Sequence, residues 1–585
     1  MEAGVKPILR PVTPPPAPES AGALPWWALP AAAFIALVLA FQAYEPALGG
    51  PFLFDDHYLP FRLPAWSQMP LSAWMSSVRP MLMLSFWLNM RWLGPGPSGF
   101  HAVNVFLHAI TAILAGLIAR QLLIKIKTAP RLASGLGAFA AALFLLHPAT
   151  TESVAYIAGR SDVLSTLLCY AAIAVFLRRG NSDIGLPYTL LILALVGAAC
   201  LTKEYSVALP AVFLLADYYF NPGFSLEGIR KNSLLYQALL VLGLIAAFAV
   251  WKLLANADSA GFGLKDFTPV QYFFTQCRSI WIYTRLFVLP ANQNADYDMP
   301  ISRTPFEYGA ALCLIALLVA VWLAWRYRNE FPLASFGLLF VLVMLAPTSS
   351  FVPIKDPLVE RRMYLPMLGW ILIAIDLIRV WNPPRAALTT LMASVLAVMS
   401  YATWTRASVW SNAELFWGDA VAKSPAKARP RMQLAHANFE ANNCVASAKN
   451  YELASKLEKP DYRLLVDWAL SADCAGDPAR AMELLRQAAK LERTAHVYSQ
   501  IGMVYAKQNR FAEALDALET AEQIDPRYPI IYVYRGNIHL TQGEIDKAEK
   551  EYIKALEIAP DSELAQAGMN GVRRARRNRA QPPAK

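Results

Sequence analysis

Near residue 410 the chain changes character, and that break limits what it can fold into more than any motif does. Before it, apolar runs of membrane-spanning length follow one another. After it, small, aromatic and proline residues recur with a 34-residue period. As a helix, a run of about 20 apolar residues crosses the hydrocarbon core of a bilayer, whereas a period of this length builds a stack of helix pairs. The expected fold is all-α: a polytopic membrane domain of about 11 spans, then a tetratricopeptide-repeat α-solenoid. The expected boundaries are a Pro-rich tail 1–23, a membrane domain 24–408, about four repeats in 409–568 and a basic tail 569–585.

Composition supports the membrane half. Hydrophobic residues make up 56% of the chain and charged residues only 16%. The net charge of +10 raises the question of nucleic acid. The basic residues, however, fall largely between apolar runs, where the positive-inside rule puts them, so no nucleic-acid partner is expected.

The runs lie near 24–44, 100–124, 134–149, 153–177, 186–201, 205–221, 234–254, 305–325, 331–350, 363–380 and 386–405. A further run, 271–290, carries Gln276, Arg278 and Arg285 and either spans or lies at the interface. If it does not span, Lys6/Arg10, Arg120/Lys125/Lys127/Arg131, Arg178/Arg179, Arg230/Lys231, Arg326/Arg328 and Arg379/Arg385 all fall on one side, the cytoplasm. That count places the N-terminus inside and the repeats outside, in a plasma membrane. The first run, after a tail carrying Lys6 and Arg10, has the length of a signal anchor.

In the repeat half, Asp525-Pro526 and Ala559-Pro560 are 34 apart, as are Gly502 and Gly536, and Ala514 and Ala548. Small residues at helix crossings and Pro at helix exits, recurring in phase, give stacked helix pairs with a concave groove. Cys444 and Cys474 lie one repeat apart and could form a disulfide if this half is extracytoplasmic. Cys169, Cys200, Cys277 and Cys313 read as membrane packing residues. The arginines from Arg573 to Arg579 read as a solvated basic end, with anionic lipid headgroups as the alternative contact.

On this topology the outward loops collect the chemistry-bearing residues. Asp55 and Asp56 follow the first span, and adjacent side chains in an extended loop would point to opposite faces, one carboxylate to the cavity and one to the loop. Arg79 could bind phosphate, since guanidinium stays charged and engages two oxygens. His101, Asn104 and His108 share a helical face and read as a packing stripe rather than a metal site. Glu152, Tyr156 and Arg160 fall at i, i+4 and i+8 of one expected helix. Arg160 and Asp162 lie in an apolar run, where each charge costs roughly 2.5–3.5 kcal/mol, so they should face a cavity or one another. Lys203-Glu204 and Glu360-Arg361-Arg362 read either as local ion pairs or as groups for an anionic leaving group. Asp296 and Asp298 also fall on the outward face. No Gly-rich nucleotide loop, nucleophile elbow or zinc spacing is present.

Phe54-Asp55-Asp56, Arg79-Pro80, His101 to Asn104, Leu146-His147-Pro148, Thr151-Glu152, Gly159-Arg160 to Asp162, Lys203-Glu204 and Glu360-Arg361 to Tyr364 and Pro366 stand in order. Together they resemble the transmembrane-and-tetratricopeptide-repeat proteins, which include eukaryotic O-mannosyltransferases and bacterial relatives, within the GT-C superfamily of glycosyltransferases. The resemblance runs from about residue 24 to 560 and departs at Met367, where the family carries a small residue. It implies sugar transfer from a polyprenyl-phosphate donor to a hydroxyl on a protein or envelope-glycan acceptor, on the extracytoplasmic side and with inversion. It assigns the catalytic acidic pair to Asp55 and Asp56. Substrate-binding positions would be Arg79, His101, His147, Glu152, Arg160, Asp162, Lys203, Glu204, Asp296, Glu360, Arg361 and Tyr364. No cofactor or metal is required, although a divalent cation beside the acidic loop is compatible with the chemistry. Two other readings are an oligosaccharide or O-antigen-type transferase with a larger donor, and a non-catalytic scaffold with a repeat docking arm.

Overall fold

A computed structural model describes residues 27–62, 66, 68–178, 184–255 and 259–580. The tail with Lys6 and Arg10, and also Arg179, lie outside the described residues. Among the described residues the chain is helical and contains no strand, with one isolated bridge between Ala260 and Ile354.

Proline starts many of the helices, including Pro80–Leu93, Pro97–Lys125, Pro130–Leu146, Pro269–Val288 and Pro332–Leu345. Its fixed φ suits the first helical turn and its missing N–H is no loss there. Among the described residues, six helices are long and apolar enough to cross a membrane: Ala28–Ala47, Pro97–Lys125, Arg160–Arg178, Ser233–Lys252, Glu307–Arg326 and Arg385–Val409. A seventh candidate is the bent pair Pro130–Leu146 and Pro148–Ala155, broken by 53°. Other runs of the expected eleven form shorter apolar helices, such as Leu186–Cys200 and Pro332–Leu345. Only 6% of the apolar window of Glu307–Arg326, and 11% of that of Ser233–Lys252, is buried within the protein. Helices this apolar and this exposed are built for lipid, and the chain is a multi-pass membrane protein. Pro97–Lys125 packs closely on Pro130–Leu146 because Gly116 faces Gly137; a Cβ on Gly116 would lie 2.6 Å from the Gly137 carbonyl oxygen.

The run 153–177 does not form one helix. The helix Thr151–Ala155 stops, and Arg160–Arg178 begins after a turn at 156–159. Asn104 Nδ2 donates into that turn, to the carbonyls of Val154, Tyr156 and Ile157 at 3.3, 3.1 and 3.4 Å. At Gly159 a Cβ would meet the Ser153 and Tyr156 carbonyl oxygens at 2.5 and 2.8 Å, so only glycine fits. Glu152, Tyr156 and Arg160 therefore share no helical face.

After Arg385–Val409 and the linking helix Ala413–Lys423 come four helix pairs: Ala428–Glu440 with Cys444–Leu457, Tyr462–Cys474 with Pro478–Leu491, Ala495–Lys507 with Phe511–Ile524, and Pro529–Thr541 with Ile545–Ile558. Cys444 and Cys474 are bonded across the first two pairs, with Cα atoms 5.6 Å apart. The expected basic tail is instead the end of a packed helix, Glu563–Ala580. Val572 is buried in it, and Arg576 pairs with Asp546 and Glu549 at 2.8 and 2.6 Å. Its arginines from Arg573 to Arg579 are exposed, while Ala565 and Val572 of the same helix pack on the last repeat.

Candidate active site

Asp55 and Asp56 lie in a single 3-10 turn, Phe54–Tyr58, rather than in an extended loop. Their fates differ nonetheless: Asp55 is exposed and Asp56 is buried. Asp56 closes the turn, accepting from Leu53 N at 3.0 Å and Ala158 N at 2.8 Å. Burial pushes its carboxyl up to about 7, against the pull of those two N–H groups. Asp55 donates its backbone N–H to the Tyr156 hydroxyl at 3.0 Å and leaves its carboxylate in solvent. Phe54 holds a left-handed φ of 49°, which is costly for a bulky residue. Its ring is gripped edge-on by Phe416 and Trp417, at centroid distances of 5.4 and 4.6 Å, so the linker to the repeats shapes the acidic turn.

Around this turn, three cations each pair with a carboxylate from a distant segment. Arg79 engages Glu204 with two donors at 2.8 and 3.0 Å. Lys203 meets Asp162 at 2.6 Å, and Tyr205 donates to the other oxygen of Asp162 at 2.9 Å. Arg361 meets Glu152 at 2.6 Å through its guanidinium and at 3.1 Å through its backbone N–H. In every pair the carboxylate is the more buried partner. Side-chain exposures are 38% against 25% for Arg79 and Glu204, 14% against 1% for Lys203 and Asp162, and 29% against 2% for Arg361 and Glu152. Asp162 and Glu152 are walled in, whereas Glu204 and the three cations keep some exposure.

The pairs are close enough to feel one another. Burial holds the Lys203 ammonium below the ordinary lysine range; Asp162 opposes this, while Arg79 and Arg361 add repulsion. Burial likewise disfavours the Arg361 charge, but Glu152 and Tyr156 outweigh it and hold the guanidinium above its ordinary value. Arg361 also lies over the Tyr156 ring, 5.9 Å from its centroid, and Tyr156 in turn holds Asp55. Asp55, Asp56, Arg79, Glu152, Asp162, Lys203, Glu204 and Arg361 thus form one neighbourhood.

The other expected site residues lie elsewhere. Arg160 is fully buried and spends its guanidinium on Asn104 Oδ1 (2.7 Å), Asn89 Oδ1 (2.8 Å) and the Phe100 and Ser85 carbonyls (2.9 and 3.3 Å). It lies over the Phe86 ring at 4.7 Å and meets neither Asp162 nor a cavity. Oxygen acceptors and aromatic faces hold its guanidinium, and its electrostatic counterpart is Asp56 rather than Asp162. His101 donates to the Gly50 carbonyl at 3.2 Å, and His147 to the Phe287 carbonyl at 2.8 Å. The Tyr364 hydroxyl bonds His108 Nδ1 at 2.7 Å, while His108 Nε2 donates to the Leu145 carbonyl at 3.0 Å. These are helix-packing bonds, as the stripe of His101, Asn104 and His108 implied. Glu360 and Asp296 belong to a network that joins the membrane half to the repeats and adjoins the site at Arg361. Among the described residues, no group of three His, Cys, Asp or Glu side chains is arranged to hold a metal ion. A cavity of about 370 Å³ between the first helix, Pro97–Lys125 and Pro130–Leu146 is lined almost wholly by apolar side chains and contains none of the clustered residues.

Sequence reasoning left Tyr156, Asn104 and Tyr205 out of the site. Tyr156 supports Asp55 and lies under Arg361, Asn104 ties the turn 153–160 to Arg160, and Tyr205 orients Asp162. The signals for Asn104 were its place on a histidine stripe in an apolar helix and in the motif His101 to Asn104.

Comparison with known proteins fits this architecture. Tetratricopeptide-repeat family models match residues 466–529 and 505–570. A protein O-mannosyl-transferase of Caenorhabditis elegans is 23% identical over 449 residues, covering 73% of this chain and 63% of the relative. The mouse protein O-mannosyl-transferase TMTC3 is 21% identical over 533 residues, covering 82% of this chain and 57% of the relative. Over most of its length the chain is similar to these protein O-mannosyl-transferases, and its C-terminal part carries tetratricopeptide repeats. It spans about three fifths of the length of those two relatives. A Drosophila melanogaster relative, protein O-mannosyl-transferase Tmtc1, reaches 38% identity over 160 residues, covering 27% of this chain and 16% of the relative. Among solved structures, a thermophilic TPR protein in Thermus thermophilus is 19% identical, covering 31% of this chain and 94% of that one, with a TM-score of 0.24.

Proposed function

We propose that the chain is a membrane glycosyltransferase that moves a sugar from a polyprenyl-phosphate carrier to a hydroxyl of a protein acceptor. The observation that carries this reading is the exposed Asp55, held by Tyr156 under Arg361, in a neighbourhood of three cations that each pair with a less exposed carboxylate. The relatives' printed names, protein O-mannosyl-transferase, supply the sugar-transfer chemistry and the protein acceptor.

In this mechanism Asp55 takes the proton from the acceptor hydroxyl. The freed oxygen bonds to the anomeric carbon from the face opposite the phosphate. The bond from that carbon to the phosphate oxygen breaks, its electron pair leaves with the lipid phosphate, and the anomeric centre inverts. Arg361, Lys203 and Arg79 take up the charge that develops on the leaving phosphate. They supply the charge neutralisation, so the reaction as written uses neither a nucleotide nor a metal cofactor. Asp56 keeps the turn closed rather than handling substrate.

The reading places the reaction outside a bacterial plasma membrane, with the N-terminus inside and the repeats outside. Helix Pro269–Val288 supports this topology. Two of its side chains reach loops expected on the outward face, Gln276 to the Pro357 carbonyl (2.8 Å) and Arg278 to the Pro300 carbonyl (2.8 Å), while Trp281 donates to the Cys313 carbonyl of helix Glu307–Arg326 (2.9 Å). At its far end, the Phe287 carbonyl accepts from His147. These loop contacts favour a helix lying along the interface, and with it the eleven-span count and its charge balance.

The test is Asp55→Asn in membranes supplied with polyprenyl-phosphate mannose and an acceptor protein. Transfer should fall by about 10²–10⁴-fold while the protein still inserts, as expected on losing a general base. Unchanged transfer by this variant would remove Asp55 from the mechanism.

A further inference from the structure

The loop 291–300 touches both halves of the molecule. Toward the repeats, the Asp296 side chain, 1% exposed, pairs with Lys427 and with a fork of Arg429 donors; Nε of Arg429 lies at 2.7 Å. Arg429 also reaches Asp356 at 2.9 Å. Ser424 fastens the same loop, accepting from Asn294 Nδ2 (2.8 Å) and Asp298 N (3.0 Å) and donating to the Asp296 carbonyl (2.8 Å). Toward the membrane half, the loop gives three donors to buried Glu360: Gln293 Nε2 (2.7 Å), Asn294 N (2.7 Å) and the Tyr297 hydroxyl (2.6 Å). The next residue is Arg361, whose backbone N–H and guanidinium are both bound by Glu152. Contacts therefore run without a gap from the first repeat to an arginine of the candidate site.

We propose that Asp296 and Arg429 are positioning residues: the first repeat acts through the loop 293–298 and Glu360 to hold Arg361 in the orientation that receives the donor's phosphate. The proposal rests on the glycosyltransferase reading above. A buried carboxylate stripped of its cation is strongly unfavourable, so the path of this loop at Asp296 depends on Lys427 and Arg429 being docked. All three donors to Glu360 belong to that one loop and are displaced together if it moves. The repeat domain is on this view part of the donor site, and its influence reaches substrates too small to touch it.

The experiment uses the full chain in lipid nanodiscs, with two readouts. The first is phenylglyoxal modification of Arg361, mapped by mass spectrometry. Asp296→Asn and Arg429→Gln should raise it severalfold, and Arg429→Lys, which keeps the charge but loses the fork, should fall between. The second is binding of undecaprenyl phosphate, which should weaken roughly three- to thirtyfold in the same variants. Arg463→Gln, on the exposed face of the second repeat, should change neither readout. An intact Cys444–Cys474 bond and unchanged helical content show that each variant is folded. Wild-type labelling and wild-type affinity in folded Arg429→Gln and Asp296→Asn would overturn the proposal. Altered labelling in a protein that binds no undecaprenyl phosphate even as wild type would uphold the positioning link and sink the donor reading instead.

Discussion

Asp55 and Asp56 are neighbours in sequence but sit in different media, and the difference makes a pH signature. The folded protein holds the Asp56 proton up to about pH 7, whereas an unfolded chain releases it near 3.8. Between those values the folded state binds more protons than the unfolded one, so stability falls as pH rises and levels off above about 7. Thermal unfolding in detergent from pH 4 to pH 8 should show this loss in the wild type and a flatter profile in Asp56→Asn. Identical profiles would mean that Asp56 titrates normally. At this scale the sequence shows which residues carry charge but not which carbons and oxygens will meet. Arg79 and Glu204 are 125 residues apart, and Arg361 and Glu152 are 209 apart. Nothing local marks these as pairs, and the same holds for Arg160, whose partners are amides and carbonyls rather than the nearby Asp162.

Elements were legible wherever a period repeats and illegible where a distant contact overrides it. The 34-residue phase located all four repeat pairs, because each pair buries its face on the next and the small residues must recur in step. The run 153–177 reads as one helix by hydropathy, but Asn104 and the tight approach at Gly159 break it. For helix Pro269–Val288, the two exposed ends Val270 (55%) and Val288 (73%) give a direct test. In intact cells, Val270→Cys and Val288→Cys should both react with a membrane-impermeant maleimide added outside. Labelling at one end only would mean that the helix spans, and would move the last two basic clusters to the other face.

At the scale of the whole molecule, the stack of repeats is stapled where it meets the membrane half. The Cys444–Cys474 bond closes a loop with a sequence separation of 30 between the first two pairs. In a linear array each pair depends on its neighbours, so a crosslink here steadies the pairs nearest the candidate site. Replacing both cysteines by serine should cost about 2–4 kcal/mol of repeat-domain stability, measured by denaturant unfolding. No change on replacement would show that helix stacking alone sets that stability.

The ion pairs around Asp55 have a consequence at long range. Three cations face three carboxylates there, and Asp55 adds one further negative charge. Viewed from a distance such a site is close to neutral and projects little field toward an anionic ligand. A soluble phosphate ester would gain little speed of approach from it. A donor dissolved in the bilayer needs no such guidance, because diffusion in two dimensions already brings it past the opening. The arrangement would then favour a ligand delivered by the membrane over one delivered by the surrounding water.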